Sequence, residues 1–159
     1  MKGKRVMFVL MVTALMGSCV TQQQQAEEKA RMQETVVEAV AKKQWRIDVT
    51  SMSTLRYGSR TVTPDFYLEL RGDTLQSYLP YLGQAHQAPM ASPSQGLNFK
   101  APIIKYEERK PRAHLSQIDI DVKTQEDTYH YHVELYDTGQ AYIQVRSQHR
   151  DPISFDGRM

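Results

Sequence analysis

The sequence predicts an α+β domain in which an N-terminal helix packs on a curled, meandering antiparallel sheet of about seven strands that is strongly curved or barrel-like. A segment with apolar residues at helical spacing precedes a long region in which apolar and polar residues alternate. The alternation indicates strands with one buried and one solvated face, as in antiparallel sheets. Three separate turn sequences then assign the same residues to the buried face, which is the strongest evidence for this fold.

The first segment has the features of a lipoprotein signal. A basic N-terminus precedes an apolar run over residues 6–15, which is too short to span a membrane. Small residues then precede Cys19, the only cysteine of the chain, as in a lipobox. We predict that residues 1–18 are a signal peptide and that Cys19 carries the lipid that attaches the protein to the membrane. The expected location is the cell envelope, on the outer membrane, facing the periplasm or the surface.

Residues 19–29 are interpreted as the lipidated cysteine and a flexible tether, because residues 20–25 are polar and low in complexity. A single domain is expected over residues 30–159. The pattern over residues 27–44 is helical, with mixed charges on the polar face that favour packing on a sheet over lying on a membrane. The apolar residues at three- and four-residue spacing are Met32, Val36, Val37 and Val40.

The predicted strands follow as segments with apolar residues at every second position. They cover residues 45–50, 66–71, 97–103, 118–123, 129–135 and 141–145, with one more strand after the turn at 72–73. Pro102 interrupts one of them and indicates an edge strand or a bulge. The turn lengths at 72–73, 124–127 and 137–139 each place apolar residues of the two joined strands opposite one another.

Residues 83–96 form a loop that is long for a compact domain, and such loops are often functional. Tyr78, Tyr81 and His86 give the loop and its approach an aromatic character suited to recognition. The alternative is that the approach packs under the sheet edge while the rest is ordinary surface.

Three stretches, residues 57–60, 72–83 and 96–103, stand out together with a tyrosine-rich C-terminal hairpin. In these stretches the chain resembles the domain of unknown function 4251 family (DUF4251), small envelope lipoproteins of Bacteroides-type bacteria. The resemblance implies a secreted, lipid-anchored domain with a helix and a sheet. It implies no activity, ligand or catalytic residue.

The polar side of the C-terminal strands contains a weak candidate metal site. The predicted register places Asp119 opposite His132 and Asp121 opposite His130, and imidazoles with carboxylates are ligands that zinc accepts. The same register places Arg146 beside His130, where a cation repels a metal ion. The arrangement is therefore better interpreted as a ladder of alternating charges, in which each cross-strand pair contributes roughly 0.2–1 kcal/mol.

The sequence gives little support for catalysis, cofactor binding or nucleic-acid binding. The chain has no nucleophile elbow, phosphate-binding loop or dinucleotide fingerprint, so we expect neither an enzyme nor a cofactor. Its formal net charge of +2 includes three positive charges from the predicted signal, so the expected domain is nearly neutral and a nucleic-acid partner is not expected.

The leading hypothesis is a non-enzymatic binding module for a protein or glycan partner. Tyr67 and Tyr78 are expected to pair on the solvated face, where Tyr136 and Tyr142 also lie, and aromatic rings there suit flat ligands and protein anchors. The alternatives are a carrier of a small apolar ligand with a lipocalin-like cavity and, third, a metal-dependent hydrolase. Whether the concave face of the sheet is filled or hollow distinguishes the binding module from the carrier.

Overall fold

The computed structural model describes residues 18–83 and 96–159 of the chain, and the side chains of the first helix from residue 22 onward. Within this part of the chain one helix, α1 (Ser18–Ala41), precedes nine strands. The strands are β1 (Gln44–Thr54), β2 (Gly58–Thr61), β3 (Tyr67–Arg71), β4 (Thr74–Pro80), β5 (Gly96–Arg112), β6 (Leu115–Lys123), β7 (Thr128–Tyr136), β8 (Gln140–Ser147) and β9 (Ile153–Arg158).

The strands form one antiparallel sheet that closes on itself. Its order is β2-β1-β3-β4-β5-β6-β7-β8-β9, and β9 also pairs with β1. The first half of β1 pairs with β3, whereas its second half pairs with β9 on one side and β2 on the other. The predicted α+β class with a curled sheet is therefore confirmed, and the sheet is a closed barrel.

The strand count of about seven is too low, because β2 and β9 were not predicted. All four residues of β2 are exposed, so this strand has no alternating pattern to detect. β9 has only two buried apolar residues, Ile153 and Phe155. Nevertheless β9 is the strand that completes the ring, because it pairs with both β8 and β1.

The registers predicted from the three turns are confirmed. Leu70 lies opposite Leu75, and Val133 lies opposite Ile118 on one side and Ile143 on the other. Gly72 and Gly139 both adopt the left-handed conformation that these tight turns require, with φ of 61° and 80°. Pro102 lies in β5 immediately before a bulge between Ile103 and Lys105.

The protein's own side chains fill the concave side of the sheet. The largest of the fully buried residues are Tyr129, Tyr131 and Phe155. The hydroxyl of Tyr131 donates a hydrogen bond of 3.0 Å to Oγ of Ser77 inside this core. The aliphatic residues around them are also buried, so side chains occupy much of the concave side of the sheet.

Helix α1 packs on one end of the barrel. Val36 and Val40 are buried in the common core, and Met32 lies beside Gly139 in the β7–β8 turn. The helix ends at Ala41, and Lys43 in the turn after it adopts a left-handed conformation with φ of 52° and accepts a 2.8 Å hydrogen bond from the amide of Gly72. The turns containing Gly72 and Gly139 therefore lie at the helix end of the barrel.

The helix extends further toward the N-terminus than its apolar pattern predicts and ends before residue 44. Residues 22–31 are helical and exposed, and the predicted tether, residues 19–29, belongs to α1. Gln, Ala, Glu, Lys and Arg dominate this stretch, and their high helix propensity accounts for helix formation without contacts to the sheet. No helix in the described chain is long and apolar enough to cross a membrane.

Candidate binding surface

The solvent-facing side chains of β6–β9, called the outer face below, form ordered rows across neighbouring strands. These side chains alternate with the buried residues of the same strands. One row consists of Asp119, His132, Gln144 and Ser154. A second consists of Gln117, Glu134, Tyr142 and Asp156. Because adjacent strands hold these groups in fixed register, the outer face is a rigid array of hydrogen-bonding side chains.

The two predicted histidine–aspartate pairs are present in this array. Nδ1 of His130 lies 2.6 Å from Oδ1 of Asp121, and Nδ1 of His132 lies 2.6 Å from Oδ1 of Asp119. Arg109 on β5 also pairs with the second carboxylate oxygen of Asp119. Partial burial acts to raise the pKa of Asp119, but the hydrogen bonds from His132 and Arg109 outweigh it, and the pKa is lowered overall.

The register also places Arg146 opposite His130, as predicted. Its guanidinium donates a 2.8 Å hydrogen bond to Oε1 of Gln144, which the sequence analysis did not single out. No group of three or more His, Cys, Asp or Glu residues in the described chain has the geometry to hold a metal ion. The four candidate metal ligands thus form two separate His–Asp pairs, which suit hydrogen bonding to a ligand better than metal coordination.

Three surface depressions on the outer face join into one region. The first, about 340 Å³ in volume, contains both His–Asp pairs, Gln144 and Arg146. The second, about 690 Å³, is lined by Glu134, Tyr136, Tyr142 and Asp156, among others. The third, about 220 Å³, lies between them and the end of β1, and shares Tyr142 and Gln144 with its neighbours. Tyr142 and Gln144 therefore lie at the centre of the combined surface.

The candidate tyrosines do not form one cluster. Tyr136 and Tyr142 line the second depression, whereas Tyr67 and Tyr78 pair on β3 and β4, with ring centroids 5.8 Å apart. Those two strand pairs lie on opposite sides of the closed sheet. The β3–β4 pair is also braced, because Arg46 stacks over the Tyr67 ring and Gln76 donates to the Tyr67 hydroxyl.

The remaining candidates are at the loop approach. The hydroxyl of Tyr81 donates a 3.2 Å hydrogen bond to the backbone carbonyl of Asp151, and Arg150 lies over its ring. Tyr81 thus braces the start of the loop, as in the alternative interpretation. His86 lies outside the described residues, and the side chain of Cys19 is likewise not described.

Sequence reasoning missed the residues that connect the candidate groups. No sequence motif includes Gln144, Glu134 or Arg109. Their positions beside the candidate groups follow only from strand register. The β7–β8 turn length already placed Gln144 opposite His132, so this residue could have been found. Arg109 could not, because the bulges in β5 change its register with β6.

The family model described as "Domain of unknown function (DUF4251)" matches residues 27–159. The chain belongs to the DUF4251 family. The matched region includes most of α1 and every strand, so the helix that packs on the barrel is part of the family domain.

A crystal structure of a DUF4251 family protein from Bacteroides eggerthii DSM 20697 is similar to this DUF4251 domain, with a TM-score of 0.62 at 10% sequence identity. The similarity covers 81% of this chain and 87% of the other. At that identity it supports the fold alone. None of the curated proteins compared with the chain matches it.

Proposed function

We propose that this DUF4251 domain is a non-enzymatic binding module of the cell envelope, attached to the membrane through lipid on Cys19. The partner binds on the outer face, centred on Tyr142 and Gln144. The observation that carries this proposal is the continuous surface formed by the three joined depressions.

The filled interior supports binding on the surface over binding inside the barrel. Leu68, Leu75 and Ile143 are fully buried, and Tyr131 uses its hydroxyl within the core. A lipocalin-like carrier would need part of this volume for its ligand. An apolar cargo could enter only by displacing core side chains, at a cost of several kcal/mol.

Of the two partner classes, a glycan suits the outer face better than a protein. The surface is open and lined with both donors and acceptors, including Gln144, Glu134 and Asp156, that adjacent strands hold in register. Sugar hydroxyls need such paired donors and acceptors, and the flat face of a sugar ring can lie on an aromatic ring such as that of Tyr142. Protein interfaces favour a more apolar centre with fewer charges.

The fold also supports the predicted mode of attachment. Cys19 lies in the first turn of α1 and is followed by an exposed helical segment, residues 22–31. A helix of this kind acts as a semi-rigid spacer of about 1.5 Å per residue. Lipid on Cys19 would therefore hold the domain away from the membrane with the outer face accessible.

The proposal is tested by titrating a soluble form of the chain that begins after Cys19 and keeps every described contact of the domain. The probes are a panel of neutral and acidic oligosaccharides, and binding is monitored by the ¹H–¹⁵N chemical shifts of the protein. We expect shifts at Tyr142, Gln144 and Glu134, and Tyr142→Ala should weaken binding by about tenfold, as for the loss of one stacking contact. Tyr67→Ala on the opposite side is the matched control and should bind normally.

Two results would contradict the proposal. The first is that no oligosaccharide shifts the outer-face residues at millimolar concentration. The second is that a fatty acid added as a comparison probe shifts the buried residues Leu68 and Ile143, which would favour the carrier.

A further inference from the structure

In the described chain, the strand edges without a partner include those of two segments, β2 and the second half of β5. β2 pairs with β1 alone over its whole length. The second half of β5 pairs only with β6, because its pairing with β4 ends at Pro102. Open edges offer unpaired backbone N–H and C=O groups to other chains, and natural proteins usually protect them.

The open edge of β5 carries several of these protective features. Six of the nine residues 104–112 are charged, and Pro111 removes one backbone donor. Bulges between Ile103 and Lys105 and between Arg109 and Arg112 distort the strand further. Pairing of another strand with this edge is therefore disfavoured.

The open edge of β2 carries one of these features, its short length of four residues, and few of the others. Its four residues contain no proline, no bulge and one charge, on Arg60. The amide of Val62 donates a hydrogen bond to the carbonyl of Thr50. In an antiparallel pair the backbone groups of every second residue face the partner strand, so this bond identifies which residues of β2 face β1. By that alternation Arg60 bonds back to β1, while the N–H and C=O groups of Ser59 and Thr61 point outward.

The surroundings of β2 favour a bound chain over bare solvent. Leu55 and Tyr57, in the turn before β2, are 82% and 51% exposed, and Leu55 is the most exposed large apolar residue of the described chain. Arg60 makes no ion pair with the described residues, whereas Arg56 lies 3.7 Å from Asp151. The edge thus combines free hydrogen-bonding groups, exposed apolar side chains and a cation available for an acidic residue.

We propose that β2 is a docking site for an extended, acidic segment of a partner protein, which adds a strand to the sheet. This surface goes beyond the function proposed above and uses none of the β6–β9 residues, although Leu55 also lines the third depression of the outer face. A second copy of the chain is a poorer occupant, because pairing two four-residue strands would bury far less than the ~1,200 Å² expected of a stable interface. A flexible peptide needs only the main-chain bonds of the edge and a contact with Leu55 or Tyr57.

The test uses the soluble chain described above and the probe peptide acetyl-Thr-Val-Glu-Val-Glu-Thr-amide, followed by ¹H–¹⁵N chemical shifts and amide exchange. We expect saturable shifts and slowed exchange at the amides of Ser59 and Thr61. Thr61→Pro removes the outward N–H without touching the ladder to β1 and should weaken binding by about tenfold, as for one or two lost hydrogen bonds. Thr61→Ala is the matched control, because it loses the same side chain but keeps the N–H, and it should bind within about twofold of the unchanged chain.

The circular dichroism of both variants establishes that they fold. Equal binding by the Pro and Ala variants would overturn the proposal, as would shifts confined to β5, to the outer face or to a concentration-dependent dimer. The absence of any shift at millimolar peptide would also overturn it, because strand addition depends mainly on main-chain bonds that any extended peptide can make. Oligosaccharide binding to Tyr142 should be unchanged in Thr61→Pro, so failure of this proposal is distinguishable from failure of the glycan proposal.

Discussion

Replacing Tyr131 or Ser77 tests the packed interior on which the functional argument depends. Tyr131 and Ser77 are 1% and 2% exposed, and their hydroxyls are joined by the 3.0 Å hydrogen bond. Tyr131→Phe leaves the Ser77 hydroxyl buried without this partner, and Ser77→Ala does the same to Tyr131. Each single change should cost about 1–3 kcal/mol of the free energy of unfolding. The double variant removes both polar groups, so its cost should be about 1 kcal/mol less than the sum of the two.

The measurement is urea unfolding followed by fluorescence of Trp45, which is the only tryptophan and is 4% exposed. In thermal unfolding, each single variant should lower the melting temperature by roughly 2–12 °C, since 1 kcal/mol corresponds to about 2–4 °C for a chain of this size. The burial that raises the pKa of Tyr131 should also keep its phenol neutral well above the usual titration range of tyrosine. Strictly additive effects would refute the reasoning, because they would mean that the two hydroxyls do not interact and that the interior contains water or space instead.

Three further predictions concern the turn at the far end of the barrel, the His–Asp pairs and the anchor. Burial acts to raise the pKa of Asp127, but backbone amides of Thr128 and His149 outweigh it and lower the pKa. Its carboxylate therefore stabilises the fold above about pH 4, and this stabilisation is lost as the pH falls through the folded pKa. Asp127→Asn should accordingly flatten the acid side of a plot of melting temperature against pH, and an unchanged plot would contradict this. Zinc should raise the melting temperature little, whereas a rise of about 5–10 °C that is lost in both His130→Ala and His132→Ala would establish a metal site. Cys19→Ala should abolish palmitate labelling and membrane retention, and continued labelling would disprove the lipoprotein interpretation.

Strand register could be predicted from the sequence because turn length and alternation determine it together. The three turns that join β3 to β4, β6 to β7 and β7 to β8 are short, and a shift of one residue in any of them would expose a row of apolar side chains. The same reasoning placed Asp119, Asp121, His130 and His132 correctly, although none of them belongs to a sequence motif. Local chemistry thus determines both the buried face and the composition of the outer face.

Closure of the sheet could not be predicted in the same way. It depends on β9 pairing with a strand about a hundred residues earlier in the sequence, and no turn connects the two. The pairing requires Gly157, because a side chain there would meet the backbone oxygen of Asp48 at 2.5 Å. A glycine near the end of a chain is not informative until the strand that approaches it is known.

Closure of the sheet also determines which side chains face the interior and which face solvent. A ring of eight strands, β1 and β3–β9, has an interior that its own side chains can fill or that can hold one small ligand. Here the interior contains the large buried side chains of Tyr129, Tyr131 and Phe155. The side chains left free to bind are those on the outside of the ring, together with the edge of β2, which the closure does not pair.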